Sequence, residues 1–470
     1  MTSRLPWTKF QDFYLRLGFL KTLTAALSRE RRSATNDAVI RKLERPLFDS
    51  VSTHPELAIR TASLFAGTYP RKTSSGKQID APEVAEVLTA AGSGDSALYG
   101  ITRDTTYKML DWGHDVDLVG RANQITERAL VLRSLLPRER TERFFSGEVS
   151  AWDPFQLDLR ERLFFTFHLI EIDLLTVELI ADLGALPSGR VLESRDAAQM
   201  TCIAFFRILK ATERTTEARY MAAHRTALEL AITMADEVEV AVPPEWEAHA
   251  RRVRAMRSQK AASRPALQVQ RTSKPPRKTT KNADHQTIPR FEQLVDLGFL
   301  SKPGVDAKDP VTALAARRRW RYVPTDTCRR WARAAKNVAD PTVAFRWSSF
   351  AKVAVDAFHG HERKGPTATS TKEMGERIWN AYSAVGRPVG LSPADSITLR
   401  ATIDAVVDGA AIEMRDFHNF LLTIKEHDLL PESISFGAGA ALDTMFIRIK
   451  PNFLPHLTEV LDQFPAEFSR

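Results

Sequence analysis

The stretch that decides the fold runs from Thr287 to Lys336. It opens Thr287-Ile288-Pro289-Arg290-Phe291-Glu292-Gln293-Leu294-Val295-Asp296-Leu297-Gly298-Phe299-Leu300. Apolar residues at 291, 294, 295 and 297 have helical spacing, and Pro289 suits the first turn of a helix because its missing N–H has no partner there anyway. Gly298 stands where the chain needs a left-handed cap, and Phe299-Leu300 supply the apolar contact that follows one. A polar loop carrying Arg317, Arg318 and Arg319 leads to Trp320-Arg321-Tyr322-Val323, which alternates like a strand. Pro324-Thr325 then starts a helix at Asp326 that carries Arg329, Arg330 and Arg333.

A second stretch has the same plan. In Thr102-Arg103-Asp104-Thr105-Thr106-Tyr107-Lys108-Met109-Leu110-Asp111 the pattern predicts a helix ended by Trp112-Gly113. Val116-Asp117-Leu118-Val119 alternates, Gly120 to Asn123 turns, and Gln124-Ile125 returns. Thr126 caps a further helix that stops at Pro137. Upstream, Pro55 to Phe65 and Pro82 to Ala91 read as helices.

Helix, tight turn, short hairpin and Thr-capped helix together resemble the winged helix-turn-helix superfamily, over residues 51–137 and again over 287–340. The resemblance implies DNA binding, with a recognition helix in the major groove and wing arginines on phosphates. On the second unit the contacts would be Arg290, Gln293, Arg317, Arg318, Arg319, Arg321, Arg329 and Arg330. On the first they would be Thr102, Arg103, Thr105, Thr106 and Lys108, although the wing there is acidic. Multi-winged-helix proteins of this kind resemble accessory subunits of bacterial DNA-processing or anti-phage defence systems.

The remaining organisation is helical. Residues 1–50 contain an amphipathic segment whose Leu17-Gly18-Phe19-Leu20 repeats the tetrad Leu297-Gly298-Phe299-Leu300. Residues 150–240 read as a helical bundle, with Phe155 to Leu183 as one long apolar-rich stretch. Residues 245–286 read as a linker, largely disordered, because from Ser258 onward Lys, Arg, Ser, Thr and Pro leave nothing to bury. Residues 341–470 read as a second helical domain. The expected fold is therefore mainly α, with winged-helix units and helical bundles divided by a basic linker.

Charge points to the linker. The 470-residue chain has a net charge of +8, yet Arg251 to Lys281 holds eleven Lys or Arg and no Asp or Glu. Removing those eleven leaves −3 for everything else. Arg271, Lys274, Arg277 and Lys278 are thus candidate phosphate contacts, giving affinity without sequence choice.

Several chemistries find little support. Two cysteines, Cys202 and Cys328, exclude a disulfide framework and favour a reducing, cytoplasmic setting. No apolar run is long enough for a bilayer. Neither cysteine has a partner at metal-ligand spacing, and His359-Gly360-His361 stands alone. Glu171, Glu178 and Asp182 could share a helix face, but such rows are usually solvated. Asp404, Asp408 and Glu413-Met414-Arg415 lack the strand and lysine of a nuclease motif, and no phosphate loop or nucleophile elbow is present. The expectation is a non-catalytic, cofactor-free protein that binds double-stranded DNA inside a larger complex. The alternative is a scaffold whose winged helices bind partner proteins.

Overall fold

The computed structural model describes residues 17–27, 35–36, 38–39, 42–43, 103–148, 151–154, 156–212, 218–262, 281–303, 321–336, 338, 343–360, 370–386, 390–437 and 444–463. The helices expected over 55–65 and 82–91 lie outside them. Among the described residues the chain is mainly helical, with small antiparallel sheets.

Helix α1 (Leu17–Ala26) is buried on every side, including Lys21, Thr22 and Thr24. Lys21 reaches the Glu161 carboxylate at 2.9 Å and the Gln156 carbonyl at 2.8 Å, which compensates for placing an ammonium in the core. Gly18 lies within this helix, so the Leu-Gly-Phe-Leu tetrad does not stop a helix here as it does at Gly298. The four shared residues reflect common composition and no shared conformation.

Helix α2 (Arg103–Asp115) continues through Trp112 and Gly113, where the sequence pattern had ended it. A Cβ on Gly113 would meet Leu23 Cδ2 at 2.5 Å and Val119 Cγ2 at 2.6 Å. Gly113 is therefore small so that α1 can cross closely, and the turn comes at Asp117, with φ of 61°. The expected strand at 116–119 reduces to a single bridge, Val119 to Ile125. Helices α3 (Glu127–Leu135) and α4 (Arg138–Phe145) follow.

The apolar stretch up to Leu183 divides into α5 (Leu159–Ile172), held by an Asp158/Glu161 capping box, and α6 (Leu174–Gly184). The break is Asp173. Helices α7 (Ser194–Thr212), α8 (Ala218–Val238) and α9 (Glu247–Ala262) precede α10 (Lys281–Asp296), which packs against α7 and α8. Strands β1 (Leu300–Ser301) and β2 (Val323–Pro324) pair antiparallel, and Leu192 bridges Tyr322 on the other side. Helix α11 (Asp326–Lys336) lies on α6 and on α13 (Phe350–Phe358), after the short α12 (Val343–Ser348). Trp331 is the aromatic hub of this layer, in ring contact with Phe299, Phe345, Phe350 and Phe358.

Beyond lie α14 (Thr371–Val385), β3 (Ser392–Pro393), α15 (Ala394–Val407), α16 (Met414–Glu426), β4 (Ile434–Phe436), β5 (Phe446–Ile449) and α17 (Phe453–Gln463). The all-helical expectation for this region is corrected by a three-stranded antiparallel sheet of order β3-β5-β4. Its strands are two to four residues long, too short for an alternating pattern to stand out.

The two stretches that looked alike in sequence also share a hydrogen-bond plan. After α2, the Thr126 hydroxyl donates to the Asp117 carbonyl at 2.7 Å and the Thr126 amide to Leu118 at 3.2 Å. Thr126 Oγ1 then accepts the Ala129 amide. After α10, the Thr325 hydroxyl donates to the Gly298 carbonyl at 2.7 Å and the Thr325 amide to Phe299 at 3.0 Å. Thr325 Oγ1 then accepts the Cys328 amide. In each case one threonine ties the left-handed turn behind it to the helix in front of it.

Candidate nucleic-acid interface

The sequence singled out arginines on α10 as groove readers, and the structure corrects this. Helix α10 begins at Lys281, eight residues before Pro289, which lies inside it. Arg290 and Gln293 are fully buried. Arg290 donates to both oxygens of Asp173, at 2.8 and 3.0 Å, and to the Gln286 carbonyl at 2.7 Å. Glu292 accepts from Tyr322 Oη at 2.8 Å and forms an ion pair with Lys302. A helix embedded between α7 and α8 has no face to offer a groove. Its polar residues are instead engaged by groups from other elements, Arg290 by Asp173, Glu292 by Tyr322 and Lys302, and Asp296 by the Leu17 amide.

Three other arginines of this unit are also engaged, whereas Arg333 is exposed. Arg321 is exposed and pairs with Glu193 at 2.7 Å. Arg329 pairs with Asp326 at 2.6 Å and donates to the Pro324 carbonyl. Arg330 donates to the Ala357 carbonyl at 2.9 Å. Arg317, Arg318 and Arg319 lie outside the described residues, as do Thr102, Arg271, Lys274, Arg277 and Lys278. Arg103, Thr105, Thr106 and Lys108 lie on α2, with side chains outside the description.

The helices that flank the basic stretch show where its two ends are held. The expected linker over 245–286 is occupied at both ends by helix: α9 runs to Ala262, and α10 starts at Lys281. Both helices return to the same point. Asp236, near the end of α8, accepts from Arg254 Nη2 at 2.8 Å and from Arg257 Nη1 at 3.5 Å. The adjacent Glu237 accepts the amides of Asn282 and Ala283, each at 2.9 Å, with one of its oxygens. A carboxylate there also suits the positive end of the α10 dipole. The helices on either side of residues 263–280 are therefore both held at the end of α8. The chain before and after it shares one core, through α10 on α7 and α8 and through α15 on α3 and α5.

Helix α9 carries the leading cations of that stretch. Arg251 and Arg252 are exposed and have no carboxylate within ion-pair distance among the described residues. The contrast with Arg321 and Arg329 decides which cations are available. A paired arginine has its charge already compensated, whereas an unpaired one attracts an anion at full strength within a Debye length of about 8–10 Å.

The carboxylates considered as a metal row are also committed elsewhere. Glu171 lies between Arg128 and Arg346; burial opposes its charge, but the two arginines prevail and hold its pKa down at about 2. Glu178 and Asp182 both bind Arg207. Among the described residues no group of three or more His, Cys, Asp or Glu is arranged to hold a metal. Burial pushes both thiols, Cys202 and Cys328, up to about 12, so neither is a nucleophile where it stands. No helix among the described residues is long and apolar enough to cross a membrane. Comparison with protein-family models, with curated proteins and with solved structures finds no match.

Proposed function

We propose that this chain is a non-catalytic protein that binds double-stranded DNA, chiefly through the cationic stretch Arg251–Lys281, and that it works inside a larger complex. The observation that carries this reading is the pinning of both ends of that stretch at Asp236 and Glu237. That stretch holds eleven Lys or Arg and no Asp or Glu, and the two helices that bound it are held at adjacent residues. A flexible tether would spread those charges between two halves. Arg251 and Arg252, at the start of the stretch on α9, support the same reading, being exposed and without an ion-pair partner among the described residues.

The winged-helix resemblance, read in the sequence over 51–137 and 287–340, enters the proposal with different bounds. A helix, a strand, a helix, a later helix, two antiparallel strands and a final helix occur as α6, Leu192, α7, α10, β1, β2 and α11. The same succession occurs as α14, β3, α15, α16, β4, β5 and α17. In both, the last strand lies between the other two. These shared successions support two winged-helix units whose first has its third helix, α10, buried in the core.

That burial favours a second reading, a scaffold whose units bind partner proteins. The experiment that decides is duplex binding over a salt series, for the intact chain and for one with the Arg251–Lys281 cations changed to Gln. The proposal expects log affinity to fall with log salt at a slope of roughly −0.9 per neutralised phosphate, and the slope to collapse in the variant. An unchanged slope, or no duplex binding by the intact chain at low salt, would turn the search to protein partners.

A further inference from the structure

Helices α6 and α11 touch where Gly184 meets Ala332, and a Cβ on Gly184 would collide with the Ala332 methyl. Beside that contact the two helices leave a cavity of 580 Å³. The space follows from residue size, since Ala181, Ala185, Ala332 and Ala335 line it and reach no further than a methyl. Ile170, Trp331 and Phe345, all buried, also line it and supply a broad apolar surface. The volume is that of a small-molecule site, for which about 300–1,000 Å³ is usual.

The charges around this cavity do not cancel. Glu178 and Asp182 line it and both bind Arg207, and Arg329 is paired with Asp326. Arg333 and Lys336 lie one turn apart on α11 and line it too. Both are exposed, and neither has an ion-pair partner among the described residues. With the partners counted, four cations stand against three acids, which leaves one positive charge.

We propose that this cavity binds a small amphipathic monocarboxylate, its apolar body against Ile170, Trp331 and Phe345 and its carboxylate held by Arg333 and Lys336. One negative charge restores the balance. A doubly charged phosphate would exceed it and be repelled by Glu178 and Asp182, and a neutral ligand would leave both cations uncompensated. A carboxylate also matches the planar guanidinium of Arg333, which can donate two parallel hydrogen bonds to it. The proposal is independent of the DNA-binding reading, because it uses α6 and α11 and none of the basic stretch.

The test is isothermal titration calorimetry of the intact chain with octanoate and with octanol, which share a body and differ in charge. Octanoate should bind saturably, one per chain, and about tenfold more tightly than octanol, the margin expected of two partly exposed charge contacts. Changing Arg333→Gln and Lys336→Gln together should bring octanoate down to the octanol level and leave octanol unaffected. Ala181 is exposed, so Ala181→Phe should be tolerated by the fold, narrow the cavity and abolish binding of both. Methyl NMR should show Ile170, Val177 and Val338 shifting together as octanoate is added. Absence of saturable octanoate binding overturns the proposal. So does undiminished octanoate affinity in either variant, or a set of shifting methyls that excludes these three.

Discussion

Asp173 and Arg290 form a two-oxygen ion pair in which both side chains are completely inaccessible to solvent. Asp173 ends α5 and precedes α6, while Arg290 sits in the middle of α10, so this contact joins the break in one apolar stretch to the helix that crosses it. Thr176 Oγ1 donates a further hydrogen bond to Asp173 at 2.6 Å, and Arg290 also holds the Gln286 carbonyl.

Removing one partner of a buried pair leaves an uncompensated charge in the core. Asp173→Ala should therefore destabilise the protein by about 3–5 kcal/mol, far more than loss of a surface pair. Arg207→Ala, which breaks the half-exposed pairs with Glu178 and Asp182, should cost at most about 1 kcal/mol. Urea unfolding of the three proteins measures both. Equal costs would mean that the Asp173–Arg290 pair is not buried in solution.

Thr126 and Thr325 should behave alike on substitution. Each caps a helix and also donates its hydroxyl to the carbonyl of the left-handed residue behind it. Thr126→Ala and Thr325→Ala should each cost about 1–2 kcal/mol, and Thr→Ser should recover most of that because the hydroxyl is retained. If serine proves no better than alanine, the lost methyl packing is the cause.

Stability near neutral pH should depend on Glu413. Its carboxylate accepts the amides of Ala351 and Lys352, each at 2.8 Å, and so caps α13 from the start of α16. Burial outweighs those hydrogen bonds and pushes its pKa up to about 7. A carboxyl whose folded pKa is raised adds stability that is fully present below its unfolded pKa near 4.5 and is lost as pH rises through about 7. The difference in unfolding free energy between the parent and Glu413→Gln should thus change between pH 5 and pH 8, with the parent losing ground at the alkaline end. Taking the difference removes His249, whose lowered value opposes the trend on the acid side, and Glu171, which titrates near 2. A difference that is flat with pH would place Glu413 in a more polar setting than the structure does.

Much of the local plan was legible in the sequence. Gly298 as a left-handed cap, Thr325 and Thr126 as helix starts, and the helices at 394–407, 414–426 and 453–463 follow from residue types at fixed offsets, because caps and turns are satisfied within a few residues. Gly113 and Pro289 misled for one reason: both sit inside helices that tertiary contacts maintain against local preference. The sheet β3-β5-β4 was not legible, since its strands are stabilised by partners distant in the chain.

The candidate site divides along the same line. Composition alone located the cationic stretch, because net charge needs no coordinates. Only the fold decided which cations are free. Arg290 and Arg321 look alike in sequence to Arg251 and Arg252, but Asp173 and Glu193 are brought to the first two from remote positions, and nothing acidic reaches the others among the described residues. Charge belongs to a residue, whereas its compensation belongs to the neighbours that the tertiary structure supplies.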